Sequence, residues 1–166
     1  MSLSSLPPAR AEAAFLACCG SRVWAQRMTD GRPYADTAEL LETADRVWWS
    51  LEPADWHEAF AAHPRIGERI GERKATGDEQ LRRWSEQEQA GAAAAESPIL
   101  AELVEANRLY EERYGHIFIV CATGKGAREM LGLLRSRLHN DPSTELRIAA
   151  EEQRKITHLR LLKIES

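Results

Sequence analysis

A histidine and a later group of hydroxyl, carboxylate and amide side chains are the residues of this chain whose types best suit chemistry. The histidine lies in the run His63-Pro64-Arg65-Ile66-Gly67, and the later group is the run Ser85-Glu86-Gln87-Glu88-Gln89. A histidine changes its charge near neutral pH, so it can act as a general acid or base with little tuning by its surroundings. A His and a Glu that the fold brings together would form a proton-transfer pair.

His63 is predicted to lie at a bend. The helix predicted from Pro53 ends near this point, and a residue that precedes a proline, as His63 precedes Pro64, is pushed out of helical geometry. A catalytic side chain needs a rigid mount, which such a bend provides. The alternative is a histidine at a helix end whose charge merely favours the helix dipole.

The second run is predicted to lie on a helix. Ser85, Glu88 and Gln89 are spaced i, i+3 and i+4, so they share one helix face and can offer a hydroxyl, a carboxylate and an amide to one ligand. Glu86 and Gln87 point elsewhere in a regular helix, although their backbone groups at a frayed helix end could still reach a ligand. The alternative is a solvated surface, which is typical of helices rich in charged and amide side chains.

Arg160 is a third candidate, on the helix predicted at the end of the chain. It follows Gln153 and Ile156 at helical spacing. Its guanidinium fork could hold a carboxylate or a ureido oxygen. It could equally be a basic residue near a helix C-terminus, where a positive charge is favourable. The sequence leaves both interpretations open.

Motifs of several other enzyme classes are missing from the sequence. A phosphate-binding loop has an earlier glycine and a Ser or Thr directly after its lysine. The run Ala122-Thr123-Gly124-Lys125-Gly126 lacks both. His57-Glu58 and His63 do not have the spacing of a helical zinc-protease pair. The three cysteines form no Cys-x-x-Cys motif, so we predict three buried free thiols and no metal site.

Composition predicts an ordinary globular protein. The chain has 166 residues, 43% of them hydrophobic and 29% charged, which suits one domain over residues 1–166. The net charge of −4 argues against broad binding to nucleic acid or to an anionic membrane. No apolar run is long enough to span a bilayer. Because the first residues lack the pattern of a signal peptide and the last lack a peroxisomal address, we expect a cytoplasmic location.

Helix signals dominate the chain. Caps, prolines and glycines predict helices over about residues 9–19, 21–28, 36–49, 53–62, 78–89, 97–114, 127–138 and 142–162. The glycine-rich stretch Ile66–Thr76 is predicted as an exposed loop, and Ala90–Ala95 as a small, flexible connection. We therefore expect an all-α, single-domain bundle of about seven to eight helices.

The run His116–Ala122 is the one candidate for a strand. It is apolar and β-branched, but the sequence offers no second strand with which it could pair. We therefore predict a buried extended segment near residues 116–122 within the helical bundle.

The order of several motifs along the chain resembles that of a known family. The motifs are His63-Pro64-Arg65-Ile66-Gly67-Glu68, Ser85-x-x-Glu88-Gln89, Asn107-x-x-Tyr110-x-x-Arg113-Tyr114-Gly115, Phe118-Ile119-Val120-Cys121-Ala122, Arg137-Leu138 and Leu159-Arg160-Leu161. This order resembles the 2-oxo-4-hydroxy-4-carboxy-5-ureidoimidazoline (OHCU) decarboxylases of the urate-to-allantoin pathway, in particular the bacterial members. The resemblance covers nearly the whole chain.

The resemblance implies an all-α homodimer that acts on a small ureidoimidazoline without a metal or an organic cofactor. It implies that His63 transfers the proton, that Glu88 is its partner, and that Ser85 and Gln89 contact the substrate. It further implies that Arg160 is the C-terminal arginine of the family. The implied pocket lining is the backbone of five consecutive residues together with a proline: Pro64, Phe118, Ile119, Val120, Cys121 and Ala122.

Two features of the chain depart from the family pattern. The pair Glu-Gln occurs twice, at 86–87 and at 88–89. Spacing from Ser85 favours Glu88, whereas a shifted register would give the role to Glu86. In addition, His116-Ile117 stands where many members have Phe-Pro, which places a second histidine near the implied pocket.

Two other functions remain open from the sequence. The same pocket could serve another lyase or hydrolase that acts on a related ureide, and His116-Ile117 is the feature that leaves room for this. Alternatively, the chain could be a helical interaction module without activity. The joint presence of His63, Ser85 and Glu88 argues against the second alternative, since an inactive scaffold has no need of all three.

Overall fold

The architecture is all-α, as predicted. A computed structural model describes residues 2–66, 83–84, 87–88 and 97–166. These residues contain seven α-helices and no strand; the helices are α1 (Pro8–Cys18), α2 (Arg22–Asp30), α3 (Thr37–Trp49), α4 (Pro53–Ala61), α5 (Ser97–Tyr114), α6 (Ala127–Arg137) and α7 (Pro142–Glu165). A 3-10 turn, Leu3–Ser5, precedes α1. None of the helices found in this part of the chain is long and apolar enough to cross a membrane.

Side chains at the helix starts explain why the helices begin where the sequence predicts. The Ser21 hydroxyl accepts a hydrogen bond from the Trp24 N–H, and the Asp36 carboxylate accepts one from the Glu39 N–H. The Glu39 carboxylate completes the second cap by accepting the N–H of Ala35 rather than that of Asp36. Each of these bonds satisfies a backbone donor that a helix start leaves without an intrahelical partner.

The chain divides into two compact units. The first consists of Met1–Ala62 and Gln153–Ser166, and the second is His63–Glu152. In the first unit, the side chains of Trp24 and Trp48 are buried in the core. The indole N–H of Trp24 donates to the Ala44 carbonyl, and that of Trp56 donates to the Trp48 carbonyl. Burial of these polar groups therefore leaves no donor unsatisfied.

All three cysteines are buried free thiols, as predicted. Burial raises the pKa of Cys18, and it raises the pKa of Cys19 to about 12. A thiol with a raised pKa carries little thiolate at neutral pH and is a poor nucleophile. We therefore assign no chemistry to Cys18 and Cys19.

The second unit is built around a core between α5, α6 and the segment that joins them. Its buried apolar members are Ile66, Leu103, Ala106, Tyr110, Phe118, Val120, Ala122, Ala127, Met130, Leu131 and Leu134. Gly115 ends α5 with a φ of 77°, a value that suits glycine because it has no Cβ. The joining segment then runs through this core without forming a strand, as predicted.

One loop prediction needs correction and others fall outside the described residues. Ile66 was predicted to begin an exposed loop, but it is buried because its side chain packs in the core of the second unit. Residues 83–84 and 87–88 are helical, in agreement with the helix predicted over 78–89. The other residues of that helix, the loop over 67–76 and the connection over 90–95 lie outside the described residues.

Gly20 provides a test of the packing in the first unit. A Cβ at this position would lie 2.5 Å from the Ala62 Cβ, so Gly20→Ala forces a shift of the residues just before His63. We expect the free energy of unfolding to fall by about 1–3 kcal/mol. Gly132→Ala is the matched control, since its Cβ would meet nothing within 4 Å on α6 and should stabilise by about 0.5–1 kcal/mol.

Urea unfolding of the two variants beside the wild type measures both effects. The double variant Gly20→Ala/Ala62→Gly should regain part of the loss, because it removes the methyl group that clashes. Equal stability of Gly20→Ala and the wild type would show that this contact yields without cost.

Candidate functional site

His63 and Pro64 lie at the start of the second unit, directly after the end of α4. His63 is at a bend in the backbone, as predicted, and only 8% of its surface is exposed. Pro64 is also buried. A histidine so enclosed has a restricted range of orientations, which is the condition for transferring a proton to one defined position.

Two contacts with α5 fix the residues that follow the histidine. The Asn107 amide donates to the Ile66 carbonyl at 3.1 Å and to the Leu103 carbonyl at 2.9 Å. One residue earlier, the Arg65 guanidinium forms an ion pair with Glu111 at 2.8 Å. The backbone that follows His63 is thus connected to α5 by one buried contact and one exposed contact.

Side chains supply three hydrogen bonds to the extended segment Phe118–Ala122, in addition to the backbone bond from the Lys125 N–H to the Ala122 carbonyl. Arg137 Nη1 donates to the Ile119 carbonyl at 2.6 Å. The Lys125 ammonium donates to the Cys121 carbonyl at 2.8 Å, and the Cys121 N–H donates to the Glu152 carboxylate at 3.3 Å. Buried backbone groups need partners. Here three charged side chains provide the bonds that a neighbouring strand would provide in a sheet.

The two sides of this segment have different surroundings. Alternate residues of an extended chain point to the same side. Phe118, Val120 and Ala122 accordingly pack in the core, together with Ile66. The segment that bears His63 and the extended segment therefore share one apolar cluster. Ile119 and Cys121 are the residues of the opposite side.

Glu88 carries a charge that influences Cys121. It is helical and half-buried. The pKa of the Cys121 thiol is raised, chiefly by burial; the positive charge of Lys125 lowers it, while the negative charges of Glu152 and Glu88 raise it further. The carboxylate of Glu88 is therefore close enough to Cys121 to influence its ionisation. The choice between Glu88 and Glu86 stays a prediction, because Glu86 lies outside the described residues.

The structure describes only Gln87 and Glu88 of the run Ser85-Glu86-Gln87-Glu88-Gln89. Gln87 is helical and exposed. Ser85, Glu86 and Gln89 lie outside the described residues, so their contacts with substrate stay predictions. The second histidine, His116, packs its ring against Tyr114 and Tyr110 at centroid distances of 6.3 and 5.5 Å.

Arg160 lies in the first unit, on α7 as predicted. It is almost fully buried, and its guanidinium approaches the carbonyls of Ala17 and Cys18 at 3.4 and 3.5 Å. These carbonyls belong to the last turn of α1, where a positive charge is favourable. Its role toward substrate stays a prediction.

A buried charged network in the second unit was missed by the sequence reasoning. Glu145 is fully buried and accepts hydrogen bonds from the Tyr110 hydroxyl at 2.5 Å, from Arg137 Nε at 2.7 Å and from the Asn140 amide at 3.0 Å. Arg137-Leu138 is among the motifs of the resemblance, but its partner is eight residues away on another helix. The sequence feature that could have indicated this network is an arginine on an otherwise apolar helix face, because a buried charge needs an opposite charge.

Among the residues that the structure describes, no group of three or more His, Cys, Asp or Glu side chains is arranged to hold a metal ion. The groups that this site offers are a buried histidine, a carboxylate and a row of fixed backbone groups. Such a set can position a small polar molecule and move protons to and from it.

Comparison with known proteins assigns this helical site to a family. A sequence model of the OHCU decarboxylases matches residues 4–162, a range that includes both compact units. The chain belongs to the OHCU decarboxylase family. A crystal structure described as OHCU decarboxylase in the presence of (S)-allantoin is 37% identical, with a TM-score of 0.77, over 90% of this chain and 95% of that chain.

Two relatives found by sequence similarity carry names that agree with this family. The uric acid degradation bifunctional protein TTL of Arabidopsis thaliana is 43% identical over 89% of this chain, and the chain spans 45% of that protein's length. The 2-oxo-4-hydroxy-4-carboxy-5-ureidoimidazoline decarboxylase of Amia calva is 33% identical over 84% of this chain and 78% of its own length.

The two contacts that fix the segment after His63, the Asn107–Ile66 hydrogen bond and the Arg65–Glu111 ion pair, should contribute differently to the free energy of unfolding. Asn107→Ala removes the donor from the buried Ile66 carbonyl and should cost about 1–3 kcal/mol of unfolding free energy. Glu111→Ala breaks an ion pair whose arginine is about half exposed, and should cost less than about 1 kcal/mol. Urea unfolding of both variants gives the order, and a larger loss for Glu111→Ala would contradict this description of the segment.

Ionisation of Tyr110 in the unfolded chain should lower the free energy of unfolding at alkaline pH. Its pKa is raised, chiefly by burial and then by its hydrogen bond to Glu145. Since the unfolded value is about 10, Tyr110 stabilises the fold fully below about pH 10 and loses this contribution as the pH rises. The unfolding free energy of the wild type should therefore fall more steeply than that of Tyr110→Phe, by about 1.4 kcal/mol per pH unit.

Chemical unfolding from about pH 8 to about pH 11 compares the two proteins. The other groups that titrate in this range are common to both, so the difference isolates Tyr110. Parallel curves would show that this hydroxyl is not held in its neutral form.

Proposed function

We propose that this chain catalyses the cofactor-independent decarboxylation of OHCU to (S)-allantoin in urate catabolism. The observation that carries the proposal is the enclosure of His63 at a bend whose following residues share an apolar cluster with the fixed segment Phe118–Ala122. Membership of the OHCU decarboxylase family names the substrate. The half-buried carboxylate of Glu88, whose charge reaches the same segment at Cys121, supplies the partner.

The chemistry of the substrate suits these residues. The carboxylate that is lost sits on a ring carbon that bears a hydroxyl, next to a C=N carbon that carries the ureido group. When carbon dioxide leaves, the electron pair of the broken bond forms a double bond between the two ring carbons, and the former C=N electrons move to nitrogen, which takes a proton. The substrate thus accepts its own electrons, so the reaction needs no external electron sink.

The product forms when the resulting enol becomes a carbonyl. The hydroxyl loses its proton and the ureido carbon gains one, so the number of protons is conserved in this step. His63 delivers the proton to one face of that carbon, and a donor fixed on one face gives one enantiomer. Glu88 orients His63 or accepts the ureido N–H groups. Proton transfer by a positioned side chain contributes about 10²–10⁴-fold to the rate.

The backbone of Phe118–Ala122 holds the substrate in this proposal. Its polar groups are fixed by side chains, so they can receive a ureide without first reorganising. A homodimer and a cytoplasmic location are part of the same proposal. The homodimer rests on the family resemblance.

The direct test is circular dichroism of freshly generated OHCU, produced from urate by uricase and hydroxyisourate hydrolase, with and without this protein. Rapid appearance of the (S)-allantoin signal is the expected result. A trace that matches the slow, racemic reaction without the protein would overturn the proposal. A panel of related ureides, and thermal shift with allantoin, would then separate an altered specificity from an inactive helical module.

The role of His63 has its own test. His63→Asn should lower kcat/KM by about 10²–10⁴-fold and abolish the excess of (S)-allantoin, since it removes the proton donor. His139→Asn is the matched control, because His139 is exposed just beyond α6 and takes no part in the proposed site. Near-normal (S)-allantoin production by folded His63→Asn would assign the proton to another group.

A further inference from the structure

We propose that Arg137 is a positioning residue of the active site, which holds the substrate-binding backbone of Phe118–Ala122 through the Ile119 carbonyl. The inference rests on the proposed function and adds a residue to it. Arg137 does not touch substrate in this proposal. Its effect passes through the segment that does.

The guanidinium of Arg137 is occupied on two sides at once. Nη1 donates to the Ile119 carbonyl at 2.6 Å, while Nε donates to the Glu145 carboxylate at 2.7 Å and Nη2 forms an ion pair with the same oxygen. The plane also lies against the Phe118 ring, with 4.4 Å between the guanidinium carbon and the ring centroid. One side chain therefore contacts two successive residues of the segment.

The carboxylate that orients Arg137 is itself immobilised. Glu145 is fully buried in the first turn of α7, and it also accepts hydrogen bonds from Tyr110 on α5 and from Asn140. A charge pair removed from water is stable only when its geometry is good and its remaining polar atoms are bonded. Three structural elements therefore set the direction in which Arg137 presents its donor to Ile119.

The position of the Ile119 carbonyl matters because, in the part of the chain that the structure describes, no strand lies beside the segment. In a sheet, each backbone group is placed by a regular ladder; here Arg137 places one carbonyl and Lys125 another, two residues along. A lysine at position 137 could keep the charge next to Glu145. It could not reproduce the planar fork that serves Glu145 and Ile119 together.

The test compares Arg137→Lys with Tyr110→Phe. Both variants remove hydrogen bonds from the buried network, but Tyr110→Phe leaves the bond from Arg137 to Ile119 intact. We expect Arg137→Lys to raise KM for OHCU by about 10-fold or more and to lower the excess of (S)-allantoin, as loss of a bond to a charged group allows. Tyr110→Phe should change KM and the enantiomeric excess much less than Arg137→Lys, because it removes one of the bonds to Glu145 and keeps the bond from Arg137 to Ile119.

Hydrogen exchange of the Phe118–Ala122 amides is measured on the same proteins. Arg137→Lys should lose protection there, and Tyr110→Phe should lose less. A purely structural role would lower the amount of folded enzyme, which reduces Vmax in proportion but changes neither KM nor the enantiomeric excess. Unchanged KM, enantiomeric excess and local exchange in Arg137→Lys would therefore overturn the inference.

A third variant covers the case in which Arg137→Lys does not fold. Lys125→Met removes the donor to the Cys121 carbonyl from a half-exposed side chain, so the fold tolerates it, and it should raise local exchange and KM in the same direction. If Lys125→Met changes neither, the idea that side chains position this segment fails. An inactive wild type would overturn the proposed function, whereas the exchange comparison would still decide whether Arg137 holds the segment.

Discussion

The structure of the second unit depends on one constraint: an extended segment is buried among helices, and the described residues contain no strand with which it could pair. Every buried backbone N–H and C=O needs a hydrogen-bond partner. Arg137, Lys125 and Glu152 supply such partners from α6, from the loop before it and from α7. The segment is therefore held at separate points by charged side chains, and its position follows from theirs.

Burial of Arg137 then determines much of the surrounding structure. The guanidinium requires a counter-charge, which Glu145 provides, and Glu145 requires donors for its other lone pairs, which Tyr110 and Asn140 provide. These bonds join α5, α6 and α7. The same helix α5 carries Asn107, which fixes the Ile66 carbonyl close to His63. The proposed proton donor and the proposed binding segment are thus both connected to α5.

This arrangement suits a reaction in which the substrate supplies its own electron sink. In the proposed reaction the protein holds a small ureide in one orientation and adds one proton to one face, and rigid groups serve both tasks. An enclosed His63 and a fixed backbone segment meet that requirement. Loops that were free to move would permit the chemistry but would lose the stereochemical outcome.

The sequence by itself determined the all-α fold, the approximate ends of the seven helices given above, the bend at His63 and the buried extended segment, because caps, prolines and apolar spacing are local signals. It also determined the family, since the order of motifs spans nearly the whole chain. It did not determine that Arg137 is bonded to Ile119 and Glu145, that Asn107 holds Ile66, or that Ile66 is buried. Only the tertiary structure decided these contacts, because each joins residues from different elements, and the partner of a buried polar group depends on packing that local sequence does not encode.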